Sequence, residues 1–390
     1  MRRVPHVAVL IETSRAYGRG LLEGVARYNR EHGFWSMFFE PHGLDDPPPK
    51  WLSAWKGDGV LVRINDRRMA RAIRAANVPA VDLRGRVPHL GLPFIGVDNF
   101  AVARLAFEHL RDRGFRDFGF CGVARGQYFP MDRRREFFRQ RAEQAGFPCR
   151  VFEPRGGWRR ALAWEEEQDQ LAYWLARLPR PIGVMACNDD RGRQVLDACR
   201  RAGVLVPDEV AVVSVDNDTV LCNMADPPMT SIDVNAELIG YEAAALLDRL
   251  MRRSAARVRA ISVEVAPREV VARQSSDVLA VTDGEVAAAL RFIRQNACGG
   301  IRVPNVLRHV GLSRSVLDSR FKAALGRTAK AEILRVQLER ARQLLGDSRL
   351  PLEEVAARCG FSSAKYLGDA FFRTTGVRPG AYRQCHQRPG

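Results

Sequence analysis

Three short polar clusters in this 390-residue chain carry side chains suited to binding chemistry. Glu12, Ser14, Arg15 and Tyr17 end or follow the apolar run VAVLIE; Asn188, Asp189 and Asp190 follow IGVMAC; Asp216 and Asn217 follow VVSV. A carboxylate can accept from two hydroxyls and an amide both donates and accepts, so the set fits a polyhydroxylated ligand. Capping of the helix that follows accounts for Asp189 and Asp190 equally well. Catalysis is poorly supported. A sugar-processing enzyme with a helical appendage needs a nucleophile or a matched general acid and base, and the acids here sit where plain hydrogen bonding serves as well. Residues 17–24 space their glycines GxGxxxG rather than GxGxxG, which reads as a loop entering a helix N-terminus and not as a dinucleotide site. The eight cysteines form no CxxC pair, and no histidines stand at ligand spacing, so neither a metal nor a disulfide framework nor any other cofactor is expected.

The elements that must hold these clusters are legible from periodicity. From Val7 the chain alternates VAVLIE, a helix over 21–28, FWSMFF, DGVLVRI, a helix over 67–76 and VPAVDL. The alternation resumes with FGFCGV, a helix over 133–145, CRVFE, a helix before Leu178, IGVMACND, a helix over 191–202 and EVAVVSVDND. Strands alternating with helices imply parallel sheets covered on both faces, here in two α/β lobes. Open sheets of this kind bind ligands beyond the carboxyl ends of their strands, where all three polar clusters lie.

Ser, Asp and Gly in ARQSSDVLAVTDGE break the alternation, so a two-lobed domain is expected over 1–275, a linker over 276–285 and an all-helical domain over 286–390. A helix over 284–297 precedes a short one over 303–310, with Pro304 near its start where a missing N–H costs nothing. Gly311 breaks that helix and Ser313 caps the next, in which Val316, Leu317 and Phe321 are expected inward and Arg314, Ser315, Asp318 and Ser319 outward. After a long amphipathic helix over 329–345 the design recurs: a helix over 352–358, Gly360, Ser362 and Ser363, then an inward Leu367 and Phe371. Both copies share one spacing, Leu317, Phe321, Gly326 and Leu367, Phe371, Gly376. A short helix, a glycine turn and a second helix is the unit that lays its second helix in the DNA major groove.

Charge agrees with that reading. Of a net +16, the segment 283–390 holds 19 Lys+Arg against 9 Asp+Glu, the footprint of a module that neutralises phosphates. With 46% hydrophobic and 27% charged residues the chain is globular, and it lacks the ~20-residue apolar run of a membrane span. The N-terminus enters a strand without a small-residue cleavage site, so a cytoplasmic location is expected.

Over residues 7–275 the motifs Gly96-Val97-Asp98-Asn99, HLRDRGFRDFGFCG, PIGVMACNDD, VLVPDEVAVVSVDND, PPMTSIDVNAELIGYEAAALLDRLM and PREVVARQS resemble the LacI and periplasmic sugar-binding superfamily. The resemblance implies that Asp216 holds sugar hydroxyls and that an arginine of Arg133, Arg134 and Arg135 does so too, with Arg134 the choice. LEEVAARCGFSSAKYLGDAFFRTTGVRPGAYR and VLRHVGLSRSVLDSRFKAALGRT resemble the paired DNA-reading units of AraC-family activators. That likeness puts Ser315, Asp318 and Ser319, and Ala364, Lys365 and Asp369, toward the bases, and Arg314, Arg320, Ser362 and Ser363 toward the backbone. None of the six base-facing side chains is the Arg, Asn or Gln that makes bidentate base contacts. Ala16-Tyr17, Leu22-Glu23-Gly24-Val25, Asp98-Asn99-Phe100-Ala101 and RSVLDSRFK extend the likeness to the bacterial xylose operon regulators. It implies a homodimer on double-stranded operator half-sites, a pentose effector, D-xylose first, and RNA polymerase as partner if the protein activates.

Overall fold

Every residue of the strands Gly59–Val62, Ile182–Ala186 and Val210–Val215 is buried, which only a sheet covered on both faces allows. The computed structural model describes residues 4–32, 35–40, 42–43, 46–88, 90–154, 164–252, 261–278, 283–348 and 350–386. They fall into two compact units, Met1–Ala280 and Val281–Gly390.

In the first unit the chain runs β1 (His6–Leu10), α1 (Ala16–His32), β2 (Ser36–Phe39), β3 (Gly59–Val62), α2 (Arg67–Ala75), β4 (Ala80–Asp82) and β5 (Phe94–Val97). It then crosses into a second lobe of α3 (Asn99–Arg111), β6 (Asp117–Cys121), α4 (Phe129–Gln144), β7 (Cys149–Phe152) and α5 (Trp164–Ala176). That lobe continues with β8 (Ile182–Ala186), α6 (Asp189–Arg201), β9 (Val210–Val215), α7 (Thr219–Met224) and β10 (Thr230–Asp233). α8 (Ala236–Arg252) and β11 (Ser262–Val265) return to the first lobe, and β12 (Glu269–Val271) ends in the second.

The two six-stranded sheets have orders β11-β5-β4-β3-β1-β2 and β12-β10-β9-β8-β6-β7, parallel but for the antiparallel β10–β12 pair. Four short strands, β5, β10, β11 and β12, lie outside the expected alternation. The lobes are therefore joined by three crossings, after β5, β10 and β11. These are tied together: Asp98 N–H donates to Val265 O at 2.9 Å, and Arg268 donates from its backbone to Asp233 O at 2.8 Å and from Nη2 to Asn235 Oδ1 at 3.1 Å.

Part of the expected linker belongs to the folded units. Ser276 is fully buried with its hydroxyl on Thr230 Oγ1 at 2.7 Å, Val278 joins the second lobe's core, and Gly284 already opens a helix capped by Asp283. The second unit runs α9 (Gly284–Asn296), α10 (Val303–Val310), α11 (Arg314–Leu325), α12 (Ala329–Asp347), α13 (Leu352–Arg358), α14 (Ala364–Thr375) and α15 (Pro379–His386). Each half has its own core, around Leu317 and Phe321 in one and Leu367 and Phe371 in the other. Among the described residues no helix is long and apolar enough to cross a membrane.

The first lobe depends on the contact of α1 with α8, where side chains give way to backbone. A Cβ on Gly24 would lie 1.9 Å from Glu237 O, and one on Gly240 would lie 2.0 Å from Leu21 O. Backbone cannot rotate aside as a side chain can. Gly24→Ala is expected to destabilise the protein by about 1–3 kcal/mol through overpacking, read as a lower urea midpoint at unchanged slope. An unshifted midpoint would show that the two helices separate without cost.

Candidate functional site

Between the lobes lies a cavity of about 620 Å³ whose wall draws on the carboxyl ends of β1, β3, β4, β8 and β9. Of the residues expected to bind ligand, Arg15, Tyr17, Arg134, Asn188 and Asp216 line it. Glu12, Asp189 and Asn217 do not, and each has another task. Glu12 is buried with its carboxylate on the Arg63 guanidinium. Asn217 Oδ1 accepts from Arg273 Nη2 at 2.9 Å.

Asp189 is the most heavily used. Its carboxylate takes the Ser214 hydroxyl, the Ser231 hydroxyl at 2.6 Å and the Asp218 N–H at 2.7 Å, joining α6 to β9, β10 and the loop after β9. Asn188 caps α6 by accepting from Arg191 N–H at 3.0 Å, so its side chain is committed on one side and open to the cavity on the other. Asp216 has a φ of 109°, a region costly for any residue but glycine, and its N–H donates to Ile232 O at 3.0 Å. The strain turns the side chain out of the sheet.

Further polar residues that periodicity did not single out also line the cavity, among them Arg63, Asp82, Arg84 and Tyr128. Asp82 ends β4, and its carboxylate collects the N–H groups of Ile64 at 3.1 Å, Arg84 at 2.9 Å and Gly85 at 3.1 Å. Arg63 stacks on the Tyr17 ring at 5.0 Å, and Arg84 on the Tyr128 ring at 5.2 Å. For Arg63 and Asp82 the signal was present in DGVLVRI and VPAVDL, whose next-to-last residues are polar and fall at strand ends like the others.

Electrostatics at the wall are closely balanced. Burial raises the Asp216 carboxyl above its ordinary range, against the guanidiniums of Arg134, Arg15 and Arg63. Burial and the nearby Asp216 raise Asp189 in the same way, against its three hydrogen bonds. Burial likewise lifts Asp82 and weighs against the charge of Arg63. Arg134 is buried at 5% exposure, with Nε on Asn99 Oδ1 at 3.1 Å and Nη1 on Cys187 O. Neutral hydroxyls can enter such a site without adding net charge.

The second unit presents two helix-turn-helix pairs, α10 with α11 and α13 with α14. Gly311 and Gly360 make the turns at φ 69° and 74°, and Ser313 and Ser363 cap the second helices through Val316 N–H at 3.4 Å and Tyr366 N–H at 3.2 Å. Arg314, Ser315, Ser319, Ser362, Ser363, Lys365 and Asp369 are exposed, whereas Asp318 and Ala364 are half-buried. Arg320, expected toward the DNA backbone, is exposed and pairs with Glu285 and Asp283 at the start of α9. Val316, expected inward, is 38% exposed, and Tyr366 at the same place in the second copy is 43% exposed. Both are apolar surfaces that a thymine methyl fits. Asp369 pairs with Arg378 at 3.2 Å and Asp318 with Arg314 at 3.8 Å.

α12 fixes the separation of the two pairs. Gln337 Nε2 donates to Ala297 O at 2.9 Å and Gly360 O at 3.2 Å, so one side chain holds a turn of each half. At the other side Glu332, only 1% exposed, works against its own burial; Arg335 and Arg327 hold its carboxyl below the ordinary range.

Comparison with known proteins accords with this architecture. A XylR N-terminal domain model matches residues 6–97, a periplasmic binding protein-like domain model residues 107–276, and a helix-turn-helix domain model residues 306–384. The xylose operon regulatory protein of Escherichia coli is 32% identical over 390 residues, 97% of each chain. The chain belongs to the family of xylose operon regulators. The Haemophilus influenzae member is 29% identical over 386 residues, again 97% of each chain. A solved structure of the xylose-binding transcription activator xylR superposes with a TM-score of 0.79 at 30% identity, covering 99% of this chain and all of that one. As a xylose operon regulator the protein is a DNA-binding transcription regulator with a sugar-sensing first unit, not an enzyme.

The raised Asp216 carboxyl has a signed consequence. The stabilisation brought by its protonated form is complete below the ordinary carboxylate range and is lost as pH rises through the raised value. Asp216→Asn, neutral throughout, is therefore expected to melt above the parent at about pH 8 without effector, the gap closing toward about pH 4. Equal melting of the two at the higher pH would mean that Asp216 carries no burial penalty.

Proposed function

We propose that the protein regulates a sugar-catabolic operon in response to a monosaccharide, D-xylose first, bound between the two lobes. The observation that carries this reading is the wall of the cavity, where Asp216, Asn188 and Arg134 of one lobe face Arg15, Tyr17, Arg63, Asp82 and Arg84 of the other. Polar groups from both lobes make the occupied cleft better satisfied when closed, and a ligand shifts a conformational equilibrium only by such differential affinity. The full-length solved relative is a xylose-binding transcription activator, which favours a pentose and a positive effect on transcription here. Another sugar acting through the same architecture is the second reading. It is favoured by Asp190, the second acid after Asn188 and part of the cavity wall, which alters the hydroxyl pattern the site prefers.

In the cell we place the protein in the cytoplasm as a homodimer whose paired helix-turn-helix units occupy operator half-sites and which meets RNA polymerase there. Base contacts are assigned to Ser315, Ser319, Lys365 and Asp369, with Asp318 and Ala364 at the edge of the same faces. Phosphate contacts are assigned to Arg314, Arg320, Ser362 and Ser363, with Arg320 exchanging its acidic partners for phosphate when DNA is bound. With so few bidentate readers, sequence-dependent DNA shape contributes to the choice of site.

Calorimetric titration with D-xylose, L-arabinose, D-ribose, L-fucose and D-glucose tests the effector. Heat with D-xylose is expected, and Asp216→Ala is expected to weaken it at least 100-fold, two tenfold steps of about 1.4 kcal/mol, with DNA affinity of the sugar-free protein unchanged. Binding retained in that variant at parental affinity removes Asp216 from the site. For the second unit, Arg314→Ala is expected to lower affinity for all DNA sequences alike and to reduce the slope of log K against log salt by about 0.9. A slope that does not move would take Arg314 off the phosphates.

A further inference from the structure

Asp218 stands two residues beyond Asp216 and does not line the cavity, yet its carboxylate serves both lobes. Oδ1 accepts from Leu221 N–H at 3.4 Å and caps α7 of its own lobe. Oδ2 accepts from the N–H of Ala16, the first residue of α1 in the other lobe, at 3.1 Å. α1 has no acid in its first turn, so its free N–H groups and the positive end of its dipole are answered across the cleft. Arg19, one turn along α1, brings Nη2 within 4.0 Å of the same oxygen. The Asp218 backbone is in turn held by Asp189 at 2.7 Å.

Two ion pairs bridge the same lobes. Arg15 meets Asp190 of α6 at 2.8 Å, and Arg133 of α4 meets Glu264 of β11. Arg15 and Asp190 are each nearly half exposed, so solvent screens that pair heavily. Asp218 is only 8% exposed, and its bond to Ala16 is the better sheltered of these contacts.

We propose that Asp218 is a helix cap shared between the lobes, a latch that favours the closed cleft independently of any effector and so sets how much effector is needed to hold it shut. The two helices it caps belong to different lobes, so the bond to Ala16 requires the lobes to be as close as they are here and is lost when they part. Opening the cleft leaves the α7 cap intact and exposes the α1 terminus. The part of the proposal concerning effector rests on the cleft being the effector site.

Two variants of the full-length chain separate the latch from local folding. Asp218→Ser retains a short hydroxyl cap for α7 but withdraws the carboxylate from Ala16. Ala16→Pro removes the donated N–H at the first position of a helix, where proline is well tolerated, and leaves the second lobe untouched. Without sugar, hydrogen–deuterium exchange over residues 14–20 is expected to be about tenfold faster in Asp218→Ser, with 219–224 unchanged. With D-xylose, both variants are expected to raise the dissociation constant about five- to tenfold through faster release. Unchanged exchange over 14–20 overturns the latch, as does a loss of protection at 219–224, which would trace the effect to collapse of α7. Absence of D-xylose binding in the parent would defeat the effector reading alone, because the exchange comparison is made without sugar.

Discussion

The geometry of the cleft depends on the buried carboxylate of Asp189. It gathers two hydroxyls and a backbone N–H from β9, β10 and the loop between β9 and α7, none of which could be satisfied by water at that depth. With the loop fixed at Asp218, the two residues before it adopt positive φ, Asp216 turns into the cavity and Asn217 turns back to Arg273. Removing one partner from such a network leaves the others unpaired in a low dielectric, and this makes the arrangement all-or-none. A residue outside the cavity wall thus decides where an acid of that wall points.

A second constraint is charge. Arginines crowd the cavity wall, and most are matched by acids placed on or just behind it: Glu12 behind Arg63, Glu167 behind Arg191, Asp190 beside Arg15 and Glu264 beside Arg133. Burial makes an unpaired guanidinium expensive, so the acids one layer back are as necessary to the site as the groups that face it. Two of these pairs, Arg15 with Asp190 and Arg133 with Glu264, join one lobe to the other, and the contact between the lobes and the composition of the wall are consequently one problem.

The second unit solves a different problem, that of holding two reading helices at a fixed spacing. A single helix spans both halves, and Gln337 ties a carbonyl from each half to it. Close backbone approach makes glycine necessary at position 360, where a Cβ would lie 2.7 Å from Ala297 O. Rigidity of this kind turns two weak readers into one long site, because the second helix finds its groove without further search.

Sequence alone determined the two-lobed parallel architecture, the paired helix-turn-helix units and the strand ends at which polar residues gather. These follow from local periodicity and from turn chemistry at Gly311, Ser313, Gly360 and Ser363, which need no knowledge of distant residues. Tertiary structure decided which of those polar residues face the cavity. Glu12, Asp189 and Asn217 look like Asp216 in sequence, yet partners 51, 25 to 42 and 56 residues away turn them to structural duty. Arg320 pairs with acids 35 and 37 residues earlier, and Ala16 meets Asp218 across 202 residues. Hydrogen-bond partners at such separations leave no periodic trace, because they are chosen by where strands end in space and not by their order along the chain.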